Sequence, residues 1–263
     1  MNHTFVICAY RESPYLEECI ESLEHQTVPS DILMVTSTPC PYLTKMAEAH
    51  GIPLSVNPGK GGIADDWNYA LSKAHTDLVT IAHQDDVYEP DFGLTARKQA
   101  EEYEKPLILF TDYGELRNDS KITTNPLLKV KRIMLKPLEF RSLASSRFVR
   151  RRILSLGSAI CCPSVTYAKN HLPLPLFEEG FRSNLDWQAW EKLSRLEGDF
   201  IYCNKILMYH RIHADSETTA VITSDGGTGR TQEDYQMFCR FWPRWFARIL
   251  VRVYAKGQAS NKV

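Results

Sequence analysis

The sequence has no apolar run of the roughly 18–20 residues that a helix needs to span a bilayer, so no segment reads as transmembrane. The opening residues, Met1-Asn2-His3-Thr4, lack the basic flank, long apolar stretch and small-residue cleavage site of a secretory leader. One-sided charge is missing too. Lys and Arg number 31 against 32 Asp and Glu, a formal net charge of −1, which argues against charge-driven nucleic-acid binding by the whole molecule. Cysteine is present but not in paired patterns. Cys8, Cys19, Cys40, Cys161, Cys162, Cys203 and Cys239 make an odd count with no CxxC spacing. Several fall in expected strands, and they read as small buried hydrophobes of a reducing compartment. A soluble, cytoplasmic chain is the expectation. Internal repeats and low-complexity tracts are also lacking. What remains is ordinary globular usage, 43% hydrophobic and 24% charged, enough for a sizeable core without crosslinks.

The first half alternates strand and helix. Residues 5–9 form a short, near-continuous apolar run, as in a strand buried on both faces. Ser13-Pro14 has the chemistry of an N-cap and first helical residue. Leu16, Cys19, Ile20 and Leu23 then follow at i, i+3, i+4, i+7, the apolar stripe of an amphipathic helix. Residues 32–36 read as a second strand, 42–50 as a second helix and 53–56 as a third strand. The turn at 57–62 opens a helix carrying Trp67, Ala70, Leu71 and Ala74, and residues 77–82 are the next strand. This alternation predicts an α/β layered fold with a mostly parallel central sheet, in which ligands bind beyond the carboxyl ends of the strands. After the strand at 107–111 the pattern weakens. Residues 118–156 are basic without clear periodicity, and 159–167 and 186–196 are ordered again. Residues 200–203 and 206–209 read as two short strands, 224–229 as a flexible linker and 231–256 as a final helical region. The simplest division is one domain over residues 1–223, with an elaborated second half beginning at about 118. Residues 224–263 follow as linker and basic helix.

Three clusters carry chemistry. His83-Gln84-Asp85-Asp86 ends an apolar strand, and adjacent carboxylates there are costly to bury without a cation. Oxygen ligands of this kind suit Mg²⁺ or Mn²⁺ shared with substrate phosphates. Equally, Asp85 and Asp86 can simply cap a following helix over 90–103. Tyr209-His210-Arg211-Ile212-His213 places Tyr209, Arg211 and His213 on one strand face, where His213 completes a mixed metal shell or is merely hydrogen-bonded. Asp186 precedes Trp187 and Trp190 at helical spacing, and reads either as a helix N-cap or as a general base at a cleft rim.

In this order the motifs resemble those of family 2 glycosyltransferases with the GT-A nucleotide-sugar fold, over most of residues 4–220. Val6-Ile7-Cys8-Ala9-Tyr10-Arg11-Glu12 resembles the family's first strand and nucleotide-binding turn. His83-Gln84-Asp85-Asp86, with Pro90 beyond, resembles its DxD segment. Leu185-Asp186 resembles its Glu-Asp motif, and Arg211-Ile212-His213 with Ser216 its late Arg-x-His…Ser segment. The sequence departs from the pattern at three places: His83 and Leu185 replace acidic residues, and Thr36-Ser37 stands where an Asp-Asp or Asp-Asn pair is usual. The resemblance implies a nucleotide-binding part over about residues 1–117 and an acceptor-binding part over about 118–223. The resemblance implies a metal-dependent, inverting transfer from a nucleotide-sugar donor, with Asp186 as catalytic base. Cys8, Tyr10, Glu12, Thr36, Asn68, His83, Asp85 and Asp86 fall at donor-contacting positions. Asp85, Asp86 and His213 are the metal ligands so implied, and Asp112, Trp187 and Arg211 contact acceptor or phosphate. Tyr10 would flank the base or sit as a core-edge tyrosine, and Trp67 is equally explained as core. Cell-surface polysaccharide or glycolipid synthesis is the family's common role.

Gly59-Lys60-Gly61-Gly62 is no Walker A loop, since no Ser or Thr follows the lysine, and it reads mainly as a chain reversal. Between Lys129 and Arg152 nine basic residues face only Glu139, a net +8. Arg240, Arg244, Arg248, Arg252 and Lys256 recur every fourth residue. Such a stripe suits an anionic membrane surface or a lipid-linked acceptor, or else forms a solvated face. Other classes stay in view: a metal-dependent phosphohydrolase, for which carboxylates are few; a nucleotidyltransferase, disfavoured by the glycine-free 10–14 turn; and a non-catalytic nucleotide-sugar module.

Overall fold

The computed structural model describes residues 1–213 and 228–258. Ser216 of the late motif and residues 224–227 of the expected linker lie outside them. The chain runs β1 (His3–Cys8), α1 (Leu16–Glu24), β2 (Asp31–Thr36), α2 (Pro41–Ala49), β3 (Leu54–Val56), α3 (Ile63–Lys73) and β4 (Leu78–His83). There follow β5 (Val87–Tyr88), α4 (Phe92–Glu101), β6 (Pro106–Arg117), β7 (Ser120–Ile122), α5 (Pro126–Leu135), α6 (Arg141–Ala144) and α7 (Arg147–Leu154). Last come β8 (Val165–Ala168), α8 (Leu185–Ser194), β9 (Asp199–Arg211), α9 (Thr228–Cys239) and α10 (Arg244–Gln258).

One sheet runs in the order β3-β2-β1-β4-β8-β6-β9-β5, with β7 paired to β6. β3, β2, β1 and β4 are mutually parallel. β8 enters antiparallel between β4 and β6, and the long β6–β9 ladder is parallel again. The apolar runs follow from two-sided burial. In β1, Phe5 and Ile7 pack with Leu16 and Ile20 of α1 on one side. Val6 joins Ile81, Trp187 and Trp190 on the other. Met237, Phe238, Ala247 and Val251 of α9 and α10 belong to that same larger core.

The sequence expectations need four corrections. The first helix begins at Leu16 rather than Pro14, because Ser13 turns inward and its hydroxyl accepts from the Tyr15 amide at 3.3 Å. Residues 118–156 hold β7, three α-helices and a 3-10 turn at Lys136–Glu139, whose short lengths and interleaved arginines blur their periodicity. The two expected late strands are one, β9, with a register irregularity opposite Thr111 and Asp112 that leaves Asn204 and Lys205 exposed. The final region is two helices broken before Pro243, and the first already includes Thr228 and Gly229.

Candidate active site

The acidic end of β4 is held by the end of β9. Asp86 is fully buried, and its Oδ1 accepts from the Arg211 amide and pairs with His210 Nδ1, both at 2.9 Å. These contacts, with β5 interposed before α4, rule out the capping alternative. Asp85 Oδ2 lies 2.9 Å from His213 Nε2, and its carbonyl accepts from Arg211 Nε at 2.9 Å. The Arg211 guanidinium is buried, donates to Glu18, and sits 4.4 Å from the Tyr15 ring centroid. A Cβ at Gly114 would come within 2.6 Å of the Tyr209 ring, so glycine there lets β9 cross β6 closely at this end.

These contacts sort the protonation states. Burial lowers the His83 pKa despite the neighbouring Asp86 and Asp85, leaving the neutral imidazole that ligates metals. Burial also opposes the charge on His210, but the charge and hydrogen bond of Asp86 outweigh it and push the pKa up to about 9. For Asp85, burial favours the neutral acid, yet the His213 hydrogen bond and the three histidines together hold its pKa below the ordinary value. Single ligand atoms of His83, Asp85 and Asp86 lie within 4.8 Å of one another. Among the described residues His83 Nε2 and Asp86 Oδ2 are buried without a hydrogen-bond partner. His83 Nδ1 comes no closer to Asp86 Oδ2 than 3.8 Å; a buried carboxylate oxygen without a hydrogen bond is costly, and a hard divalent cation is the partner this donor set fits.

Gln84 ties this end to the turn after β1, accepting from the Tyr10 amide at 2.9 Å and donating to its carbonyl at 3.1 Å. The Tyr10 ring is half exposed, with Arg11 over it at 4.9 Å. Arg11 takes a positive φ of 55° and its amide donates to Thr38 Oγ1 at 2.8 Å. Thr36 is buried and accepts from the Thr38 amide. Beside it Ser37 donates to Asp66 Oδ2 at 2.7 Å, so α3 supplies a carboxylate at the strand end that itself lacks one. The glycine-rich turn is closed internally, with Asp65 accepting from Asn57 and from the Gly61 amide.

Asp186 sits in the first turn of α8, two residues past the N-cap Asn184. Its Oδ1 accepts from the Trp187 amide at 2.7 Å. Burial pushes its pKa up to about 6, and that amide with the charges of Lys131 and Arg230 offsets only part of the rise. Cys161 and Cys162, just before β8, lie within electrostatic reach of both Asp86 and Asp186. The two acidic centres therefore both act on the same short segment, and Lys131, which donates to Tyr113 Oη at 2.7 Å, acts on Asp186 and on His210.

Three expected site residues have their polar groups engaged by the protein itself. Trp187 is fully buried, its indole N–H donated to the Leu154 carbonyl and its ring against Phe238 and Tyr254; the apolar spacing of α8 put it in the core. Asn68 spends its amide on the main chain of Leu176 and Phe177. Asp112 is engaged by Arg132 and the Tyr113 amide. Glu12 is exposed, and Cys8 lies on β1 next to His83 on β4. Sequence reasoning passed over Gln84, His210, Asp66 and Lys131. For Asp66 the adjacent pair Asp65-Asp66 at a helix start was the only local signal, since its partner Ser37 comes from another strand.

A parallel α/β half ending in a histidine–carboxylate cluster, joined to a late helix bearing a tuned aspartate, defines a GT-A type nucleotide-diphospho-sugar transferase. The profile of Glycosyl transferase family 2 matches residues 4–156, and the chain belongs to that family; it is a glycosyltransferase. Comparison with curated proteins finds no match. Among solved structures, S. aureus TarS 1-349 in complex with UDP-GlcNAc is similar at a TM-score of 0.63 and 14% identity, covering 95% of this chain and 70% of that one. Glucosyl-3-phosphoglycerate synthase from Mycobacterium tuberculosis, in complex with Mn2+, uridine-diphosphate and phosphoglyceric acid, is similar at 0.60 and 15%, covering 91% and 78%. These likenesses establish the shared fold. No helix among the described residues is long and apolar enough to cross a membrane.

Proposed function

We propose that the protein moves a sugar from a nucleoside-diphosphate donor to an acceptor hydroxyl in one inverting displacement, with Asp186 as general base. The observation that carries this reading is the opposite tuning of two acidic centres that both act on the Cys161-Cys162 segment. Asp85 is held ionised by histidines, whereas Asp186 is raised to about 6. A base with that pKa is ionised near neutrality yet accepts a proton more readily than an ordinary aspartate. In the displacement Asp186 takes the acceptor's hydroxyl proton as its oxygen attacks the anomeric carbon, and the nucleoside diphosphate departs from the opposite face.

Asp85 and Asp86 Oδ2, with His83 and His213 beside them, would hold Mg²⁺ or Mn²⁺. Such an ion supplies charge stabilisation to a departing diphosphate. Tyr10 offers an exposed ring for the base to stack on, and Thr36 with Ser37 and Asp66 offers polar groups for the nucleoside. The UDP and UDP-GlcNAc complexes of the two neighbours support a uridine donor. The acceptor is a glycan or lipid-linked hydroxyl, in cell-surface polysaccharide or glycolipid synthesis.

A panel of nucleotide sugars incubated with Mn²⁺ and candidate acceptors tests the reading. Release of nucleoside diphosphate with sugar transfer is expected. Pyrophosphate release would reassign the chain to nucleotidyl transfer, and no turnover with any donor would leave it a binding module.

A further inference from the structure

The C-terminal helix α10 has three faces. Ala247 and Val251 are buried against the core that holds Trp187. Trp245, Ile249 and Val253 are 65%, 49% and 65% exposed, and at i, i+4, i+8 they form an apolar stripe about 12 Å long. Arg244, Arg248 and Arg252, one position ahead of each, are exposed and form a parallel basic stripe. The helix contains no acidic residue, and no carboxylate pairs with these three arginines among the described residues. Lys256, expected to continue the stripe, has its side chain outside the described ones.

The surface continues onto α7, which also lacks acidic residues. Phe148 is 71% exposed. Arg152 lies 5.4 Å from its ring and 5.0 Å from that of Trp242, and Trp242 meets Phe246, which meets Trp245, at 5.0 and 5.4 Å. An exposed apolar stripe of this size in water marks a contact surface, and its chemistry selects the partner. A protein groove that covers apolar side chains does not require a flanking row of unpaired arginines. A bilayer does both, taking Trp, Ile and Val at the acyl boundary while anionic headgroups meet the guanidinium groups.

We infer that α10, with Phe148 of α7, docks this protein on an anionic lipid surface. The inference deepens the proposed transfer by naming where a lipid-linked acceptor is met, and takes only that placement from it. Tyr254 connects the two sites: its ring packs on Trp187, and its hydroxyl lies within electrostatic reach of Asp186. Docking through α10 therefore holds the base close to the headgroup layer, where a membrane-borne hydroxyl is presented.

Vesicle flotation without donor or acceptor provides the test, so that loss of lipid binding and loss of sugar transfer are separate results. Wild-type protein is expected to float with equimolar phosphatidylcholine–phosphatidylglycerol vesicles, to stay behind with phosphatidylcholine alone, and to be released by salt. Replacing Arg244, Arg248 and Arg252 together by Gln is expected to weaken partitioning about a hundredfold or more. The triple Ser variant at Trp245, Ile249 and Val253 is expected to weaken it about tenfold or more. Both variants change exposed side chains, and unaltered thermal unfolding confirms that they fold. As a second readout, brominated lipid should quench part of the indole fluorescence of wild type, and Trp245→Phe should remove that part. Equal binding to neutral and anionic vesicles, no binding to either, or concentration-dependent dimers dissolved by the Ser variant would each overturn the inference, the last by assigning the stripe to a second copy of the chain.

Discussion

The carboxylates of Asp85 and Asp86 and the carboxylate of Asp186 are the same chemical group in opposite circumstances. The β4 pair is surrounded by donors: Asp86 meets His210 and the Arg211 amide, and Asp85 meets His213. Asp186 has only backbone amides, that of Trp187 foremost, while Lys131 and Arg230 act on it through their charge. The first arrangement keeps negative charge in place for a cation or a diphosphate. The second leaves charge partly unsupported, so a proton is welcome. Position in the fold, not residue type, separates a carboxylate that stays ionised from one that takes up a proton readily.

The contrast breaks most visibly at Asp186. Asp186→Asn keeps the shape and the contact to Trp187 but cannot take a proton. Turnover is expected to fall about a thousandfold or more, with donor affinity by calorimetry unchanged. Near-normal kcat in this variant would remove Asp186 from the chemistry. At the other centre the larger consequence is structural. Asp86→Ala strands His210 and the Arg211 amide, and should lower unfolding free energy by about 3 kcal/mol, read from urea denaturation. A change within error would show that Asp86 is not a keystone of this end of the sheet.

Asp85→Ala sharpens the metal side of the comparison. Donor affinity measured with Mn²⁺ is expected to drop about ten- to a hundredfold, while affinity in chelator stays the same. Equal affinities in both conditions would take the cation away from this cluster.

The smallest effect is one of pH. The pKa of Asp186 is raised in the folded protein, from an ordinary 3.8 to about 6, so the folded state disfavours its ionised form. That cost is absent below about pH 4, grows as pH rises through the interval, and is complete above about 6. Asp186→Asn should therefore be more stable than wild type by about 1–3 kcal/mol at pH 7, with the gain vanishing at pH 4. Wild-type kcat should fall in parallel as pH drops through about 6. A stability gain independent of pH would mean that burial of the charge is not what raises the pKa.

Much of this was legible in the chain because it is periodic. Residues 5–9 and 77–82 read as buried strands, and the Leu16, Cys19, Ile20, Leu23 stripe as a helix, since two-sided and one-sided burial leave different spacings. Asp85, His213 and Asp186 could be singled out by motif order alone. Less legible was the stretch 118–156, where arginines such as the fully buried Arg150 occupy core positions and break the apolar signal. Trp187 shows the converse: it has the chemistry of a contact residue, yet packing consumes it, while Asn68 is held by main-chain bonds that no local pattern announces.

The sequence by itself determined the strand–helix alternation, the placement of acids at a strand end and the paired stripes of α10, because these depend on neighbours a few residues away. Only the tertiary structure decided that β9 would reach across to hold Asp86, that Asp66 would serve Ser37, and that Asp186 would be raised towards neutrality. Desolvation and ion pairing act through space at a few ångströms, and the groups that exert them here come from distant parts of the chain.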